Sequence, residues 1–342
     1  MVQAMASELK AVASQHPDPI ETIYFGGGTP SLLPPEDLQR LINACRKYYD
    51  ISSQAEITLE ANPDDLSPET LKDFHSLGIN RLSIGVQSFD NDVLKAMNRA
   101  HTSDQAAASL QMAIEAGFTN ITADLIYGIP EKGIDYWKRQ LQKMTSFDVR
   151  HISAYCLTFE PRTAFGKLKA AKKMSEPSED VTAKEFEYLC ESLATKGFEQ
   201  YEISNFAKPG FISKHNSGYW FGKKYVGIGP SAHSYNHPER RWNIRNNNQY
   251  IRKMNANEDW FESEVLSQEN IFNEYILTRL RTKWGIQMAE LRAISEEMFR
   301  RIEPKIKFQL DLKALAETDD GFVLTKTGKF IADRIALELM VS

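Results

Sequence analysis

Phe25-Gly26-Gly27-Gly28-Thr29-Pro30 decides how the rest of the chain is read. A β-prone run from Ile20 to Phe25 feeds straight into three glycines, and a helix start follows at Pro34-Pro35-Glu36-Asp37. Glycines at a strand end let a ligand's polar groups approach the backbone N–H groups, because no side chain stands between them. A phosphate-binding P-loop would place a lysine directly after its glycines. None is there, so a nucleoside triphosphate is not the expected ligand.

Outward from that turn, residues 20 to about 205 alternate strand and helix. β-rich runs stand at Glu21–Phe25, Glu56–Ala61, Arg81–Val86, Ile121–Tyr127, His151–Leu157 and Glu199–Ile203. Between them, apolar residues recur at helical spacing, as in Leu38/Leu41/Ile42, Leu110/Ala113/Ile114 and Phe186/Leu189/Cys190/Leu193. Ser67-Pro68-Glu69 opens a helix, and Gly78, Gly117 and Gly197 close others. Alternation of this kind predicts an α/β fold with a parallel sheet and helices outside it. Six strands are too few for a closed eight-stranded barrel and fit a partial, TIM-like (β/α)6 barrel. Its first strand is apparently missing, since the leading Met1–Gln15 helix has no strand of its own before it.

Residues 206–264 break the rhythm with glycine, asparagine and aromatics around HNSGYWFGKKYVGIGPSAHSY. From residue 265, helices at Gln268–Arg281 and Met288–Arg300, a strand at Phe322–Thr325 and a helix at Lys329–Met340 predict a small winged-helix-like domain. The domain expectation is therefore 1–205, 206–264 and 265–342. The C-terminal part holds 12 Lys and Arg against 12 Asp and Glu, which gives no basic face for DNA.

The whole chain, at 342 residues, 42% hydrophobic, 25% charged and net charge −5, has an ordinary globular composition and no field for nucleic acid. No apolar run is long enough to span a bilayer, and the N-terminus lacks the basic and apolar regions of a signal peptide. A cytoplasmic protein is expected, not integral to a membrane, with transient membrane contact left open. Cys45, Cys156 and Cys190 are too scattered for a zinc or iron–sulfur site and are expected to be small buried residues.

In a parallel barrel, functional groups collect at the C-terminal ends of the strands. Those positions here are polar: Gly27, Gly28 and Thr29, then Glu60, Gln87, Asp124 and Thr158. Each alone is as compatible with a helix cap or a satisfied loop. Together they could grip a diol, an amine and a carboxylate. Downstream, His215-Asn216-Ser217-Gly218-Tyr219-Trp220 combines an imidazole with two flat aromatic faces, which suits an iron porphyrin. The same residues also suit an aromatic cluster closing the sheet.

FGGGTPSLL, EITLEANPDDL, RLSIGVQSF with MNR, DLIYGIP and GIGPSAHSY resemble the oxygen-independent coproporphyrinogen III oxidase-like group of radical S-adenosylmethionine (SAM) proteins. The resemblance runs from about Ile20 to the C-terminus. It implies that Gly27, Gly28 and Thr29 hold the methionine amino group of SAM, with Glu60 and Gln87 along the cofactor. It further implies Arg99 at the methionine carboxylate, Asp124 at the ribose hydroxyls, and Thr158 and His233 bordering the adenine. HNxxYW is similar to the signature of the HemW-type heme chaperones of that group. This implies heme at His215, Tyr219 and Trp220, propionates near Lys223 and Lys224, and respiratory-chain apoproteins as recipients.

The group's [4Fe–4S] cluster needs a CxxxCxxC motif that this sequence does not contain, so no residue here is assigned to metal. A longer native chain carrying that motif is the expectation; loss of the cluster with retention of binding is the alternative. Three functions follow from the resemblance. They are a heme chaperone, an oxidase converting coproporphyrinogen III to protoporphyrinogen IX, and a cluster-free inactive scaffold. HNxxYW favours the first.

Overall fold

The computed structural model describes residues 1–161, 164–172 and 174–341. Its contacts divide the chain into two compact units. Unit 1 is Met1–Glu21, Glu36–Ala55 and Ser213–Ser342; unit 2 is Thr22–Pro35 and Glu56–Ile212.

The principal sheet has seven strands: β1 (Ile20–Phe25), β2 (Ile51–Ala61), β3 (Arg81–Gln87), β4 (Ile121–Tyr127), β5 (His151–Cys156), β6 (Glu199–Gln200) and β7 (Asn205–Ala207). They lie in the order β1-β2-β3-β4-β5-β7-β6. The pairs β2–β3, β3–β4 and β4–β5 are parallel, as the alternation predicts. The last strand is a correction. The single run expected at Glu199–Ile203 is a tight hairpin instead, with β7 antiparallel to both β5 and β6. Glu202 makes the turn, its carboxylate accepting from the Ser204 N–H at 3.1 Å.

The two faces of this sheet differ in kind, because successive side chains of a strand point to opposite sides. Leu59, Leu82, Ile84, Val86, Ala123, Leu125, Ile152 and Ala154 are buried, and they occupy one face. The helices Pro68–Ser76, Ser103–Glu115, Gly133–Met144 and Glu179–Thr195 supply Leu71, Phe74, Leu110, Trp137, Leu141 and Leu189, all buried. Each such aliphatic side chain contributes about 1.5–3 kcal/mol by leaving water. The opposite face reads Glu56-Thr58-Glu60 on β2, Arg81-Ser83-Gly85 on β3, Thr122-Asp124 on β4 and His151-Ser153-Tyr155 on β5. Barrels of this kind usually fill that face with branched apolar residues. Here, Gly85 and Ile126 apart, it is polar.

The N-terminal end of the polar face is satisfied internally only in part, with buried Thr58 Oγ1 and His151 Nδ1 left without a hydrogen-bond partner. Arg81 donates to Thr122 Oγ1 at 2.5 Å and to Asn120, and lies 3.9 Å from Glu56. His151 Nε2 meets the Tyr201 hydroxyl at 2.8 Å, and burial holds its imidazole well below the usual histidine range.

Unit 1 contains two smaller antiparallel sheets. One is built from β8 (His233–Asn236), β9 (Glu239–Asn243) and β10 (Phe261–Val265). The other is built from β11 (Ile286–Gln287), β12 (Leu315–Glu317) and β13 (Gly321–Leu324), in the order β11-β13-β12. With the helices around it, the second sheet gives the winged-helix-like pattern expected. The long helix expected at Met288–Arg300 is two, Met288–Ile294 and Glu296–Asp311. Ser295 breaks it by taking an extended backbone and accepting the Met298 N–H at 3.3 Å, as N-cap residues do. The helix expected at Lys329–Met340 is likewise interrupted at Ile331, between Lys326–Phe330 and Ala332–Leu339.

The leading helix Val2–Val12 is tied into unit 1 by one buried carboxylate. Glu8 is fully buried and accepts from Gly229 N at 2.8 Å, Asn243 Nδ2 at 2.6 Å, Tyr250 OH at 2.5 Å and Trp260 Nε1 at 2.8 Å. Among the described residues no helix is long and apolar enough to cross a membrane.

Candidate functional site

Two clusters carry the residues singled out by the sequence, one in each unit. In unit 2 the glycine turn after β1 wraps a carboxylate. Glu60, near the end of β2, accepts from the Tyr24 hydroxyl at 2.7 Å and from the Gly27 N–H at 3.2 Å. A Cβ on Gly26 would stand 2.6 Å from Tyr24 Cε1 and 2.9 Å from Glu60 Cδ, so only glycine leaves room for this arrangement. Gly27 adopts φ +83°, a conformation that favours glycine, and both Gly27 and Gly28 face open space.

Asp124 lies on β4 beside Ser153 of β5. Burial pushes its carboxyl up to about 7; a hydrogen bond with Ser153 opposes this, Glu60 adds to it, and Arg99 and Arg81 oppose it. The Ser153 hydroxyl donates to Asn205 Oδ1 at 2.7 Å, and Asn205 Nδ2 donates in turn to Glu202. A neutral Asp124 can donate into this chain through the Ser153 oxygen, whereas an ionised one competes with Asn205 for a single proton. The Ser153 contact itself holds the carboxyl down, so burial is what favours the protonated acid.

Gln87 is buried and sits at φ +64°, beside a register shift between β3 and β4. Its amide folds back over Gly85, where a Cβ would lie 3.0 Å away. A non-glycine residue held at positive φ marks a place where the surroundings dictate the backbone. Arg99 is exposed just after the short helix Asn91–Ala96, its N–H returning to Leu94 O at 2.9 Å. Thr158 is exposed beyond β5. The turn, Glu60, Gln87, Arg99, Asp124 and Thr158 thus belong to one unit. His233, assigned to the same ligand from sequence, belongs to unit 1, where it is exposed on β8 and its ring lies 6.5 Å from that of Trp242.

Sequence reasoning missed Tyr24, Tyr155, Ser153 and Asn205. Tyr24 and Tyr155 remain 37% and 45% exposed beside Glu60 and Asp124, although both phenols are pushed up chiefly by partial burial. The signal was available as period-two polarity inside each strand. The cysteine expectation also needs correcting. Cys156 is exposed at the end of β5, and Cys45 and Cys190 are only half-buried. Cys156 is the last residue of its strand, where the sheet gives way to a loop.

In unit 1, HNxxYW forms the helix Lys214–Trp220, capped by Ser213, whose side chain accepts from Asn216 N at 3.2 Å. The i,i+4 spacing puts His215 and Tyr219 on one face, with Nε2 3.0 Å from the phenol oxygen and the rings edge to face at 5.0 Å. Trp220 is half-buried and its Nε1, out of contact with solvent, has no hydrogen-bond partner; the Arg281 guanidinium lies 5.9 Å over its ring. Lys223 and Lys224 face Glu21 at 2.7 Å and Asp18 at 3.6 Å.

A partial α/β barrel with a glycine turn, a buried carboxyl and a polar inner face is the architecture of the radical SAM class. The family model described as "Radical SAM superfamily" matches residues 2–142. A solved structure, the coproporphyrinogen III oxidase (HemN) of Escherichia coli, shares the fold. Its TM-score is 0.82 at 20% identity, covering 99% of this chain and 82% of that one. Among curated proteins, the heme chaperone HemW of Lactococcus lactis is 36% identical over 327 residues, 92% of this chain and 86% of its own length. The heme chaperone HemW of Bacillus subtilis is 33% identical over 96% of this chain and 87% of its own. The chain belongs to this HemW family.

Proposed function

We propose that the chain is a heme chaperone. It takes heme on the Lys214–Trp220 helix, holds SAM at the rim of unit 2, and hands heme to respiratory-chain apoproteins in the cytoplasm. The observation that carries this reading is the similarity, over 92–98% of the chain, to proteins named heme chaperone. His215 would ligate the iron, with Tyr219 and Trp220 against the macrocycle. The buried Trp220 Nε1, a donor without an acceptor, fits a ligand that brings a carboxylate.

The rim fits SAM by the chemistry of its donors. Gly27, Gly28 and Thr29 expose backbone to an amino group, and Arg99 offers a guanidinium to a carboxylate. Asp124 serves a ribose diol, while Glu60, Gln87 and Thr158 line the same rim. When bound, SAM supplies a sulfonium for radical-forming chemistry. Seats for a cluster are a different matter. Among the described residues no group of three His, Cys, Asp or Glu could hold a metal ion, and the cysteines lie on separate elements.

Hemin titration followed at the Soret band tests the proposal. The expected result is a shifted Soret band in the wild type that His215→Ala abolishes. A wild type that leaves hemin unbound, yet decarboxylates coproporphyrinogen III, overturns it.

A further inference from the structure

The positive φ of Gln87 is imposed from two sides. The Ser88 N–H returns to Val86 O at 2.7 Å around Gln87 at φ +64°, which makes a γ-turn of the rare positive-φ kind. Such a turn is strained and persists only where its surroundings impose it. On one side Ser88 is fully buried, its hydroxyl 2.7 Å from the Tyr136 phenol, and Gln140 Oε1 accepts the Phe89 N–H at 2.6 Å. On the other stands His101, whose Nε2 lies 3.1 Å from the same Val86 oxygen.

His101 is 3% exposed. A carbonyl oxygen can only accept, so Nε2 carries the proton and the tautomer is set. Burial holds the imidazole below the usual histidine range, which keeps the ring neutral. Its Nδ1 faces Asp64 Oδ1 at 3.8 Å, in the loop after β2. The next residue of that loop, Asp65, accepts from Ser31 Oγ at 2.6 Å, just beyond the glycine turn. Val86 falls within the register shift between Ile84 and Gln87, where the ladder to β4 is interrupted. The imidazole therefore stands where a ladder hydrogen bond is missing. All of these residues belong to unit 2.

We propose that His101 is a positioning residue for the SAM rim: by donating to Val86 O it locks the γ-turn that presents Gln87. This rests on the SAM reading of the rim and deepens it with a residue that meets no ligand itself. The segment that carries His101 also carries the exposed Arg99, so one buried ring anchors two rim groups. A histidine that only completed the packing would affect stability and leave the affinity for SAM as it is.

The test is calorimetric titration of the full chain with SAM, with a thermal melt of each variant alongside. Wild type is compared with His101→Gln, His101→Asn, His101→Met, Gln87→Ala and the pair His101→Asn with Gln87→Ala. His101→Gln returns an amide N–H close to the place of Nε2 and is expected to bind SAM as wild type does. His101→Asn is too short to reach Val86 O and should weaken SAM binding by roughly tenfold, the worth of one lost hydrogen bond. His101→Met keeps the volume without a donor and should lose as much, which covers the case of an asparagine variant that does not fold. Because the ring acts through Gln87, the pair should lose no more than His101→Asn alone. Wild-type affinity in the donorless variants, an equal loss in His101→Gln, or losses that multiply in the pair overturns the inference and leaves the SAM reading intact. A wild type that binds no SAM overturns both.

Discussion

Glu8 in unit 1 and Asp124 in unit 2 are both acids withdrawn from water, and their surroundings treat them in opposite ways. Glu8 receives four donors, one from the main chain and three from side chains. Asp124 has one hydroxyl at hand, already committed to Asn205, and a like charge in Glu60. Burial is common to the two; the number of donors is not. A carboxylate with every lone pair answered holds elements together. One left short of donors is ready to meet a ligand that brings them.

The comparison can be broken most directly at Glu8. Glu8→Gln keeps the shape but turns an NH2 toward groups that themselves donate, and should cost roughly 3 kcal/mol in urea unfolding. A loss below about 1 kcal/mol would mean that the four hydrogen bonds do not hold unit 1 as described.

At Asp124 the sign reverses. With its pKa in the folded chain raised to about 7, the stability it contributes is complete below the unfolded carboxylate range and is lost as pH rises through 7. Asp124→Asn should therefore be the more stable protein at pH 8, by about 2 kcal/mol once its partial exposure is allowed for. It should also lose the SAM-induced rise in Tm. Equal stability of variant and wild type from pH 5 to 8 would remove Asp124 from the account.

His16 sharpens the contrast from unit 1. Burial, then Lys224 and Arg241, lower its pKa to about 4, so its contribution is present above 6.5 and is lost as pH falls through 4. His16→Gln should flatten acid unfolding by about 1.5 kcal/mol, opposite in slope to Asp124→Asn. The smallest effect expected is at Ser67, whose capping box closes the start of the Pro68–Ser76 helix. Ser67→Ala should cost about 1 kcal/mol and leave both pH slopes as they were.

Much of the barrel was legible because strand and helix periods alternate cleanly from Ile20 to Thr195, with Ser67, Gly78 and Gly117 marking ends. The β6–β7 hairpin was not, since its turn rests on the Glu202 side chain rather than on glycine or proline. Ser295 was missed because a serine inside an apolar helical period reads as a surface residue until its backbone is seen to extend. At the rim, the glycines themselves mark a ligand turn in the sequence. What they enclose was not legible, because Tyr24 and Glu60 are 36 residues apart and meet only through strand pairing. The polar inner face could have been found, since Glu-x-Thr-x-Glu and His-x-Ser-x-Tyr alternate openly within their strands.

The division of the chain has a practical consequence for anyone wishing to work with half of it. The backbone passes from one unit to the other at Glu21/Thr22, Pro35/Glu36, Ala55/Glu56 and Ile212/Ser213. No single truncation yields either unit whole, and a fragment beginning at Glu56 would lack the glycine turn on which Glu60 depends. Isolating unit 2 would take a gene in which a designed linker replaces Glu36–Ala55 and joins Thr22–Pro35 to Glu56–Ile212. Modular exchange between relatives has to respect the same four joints.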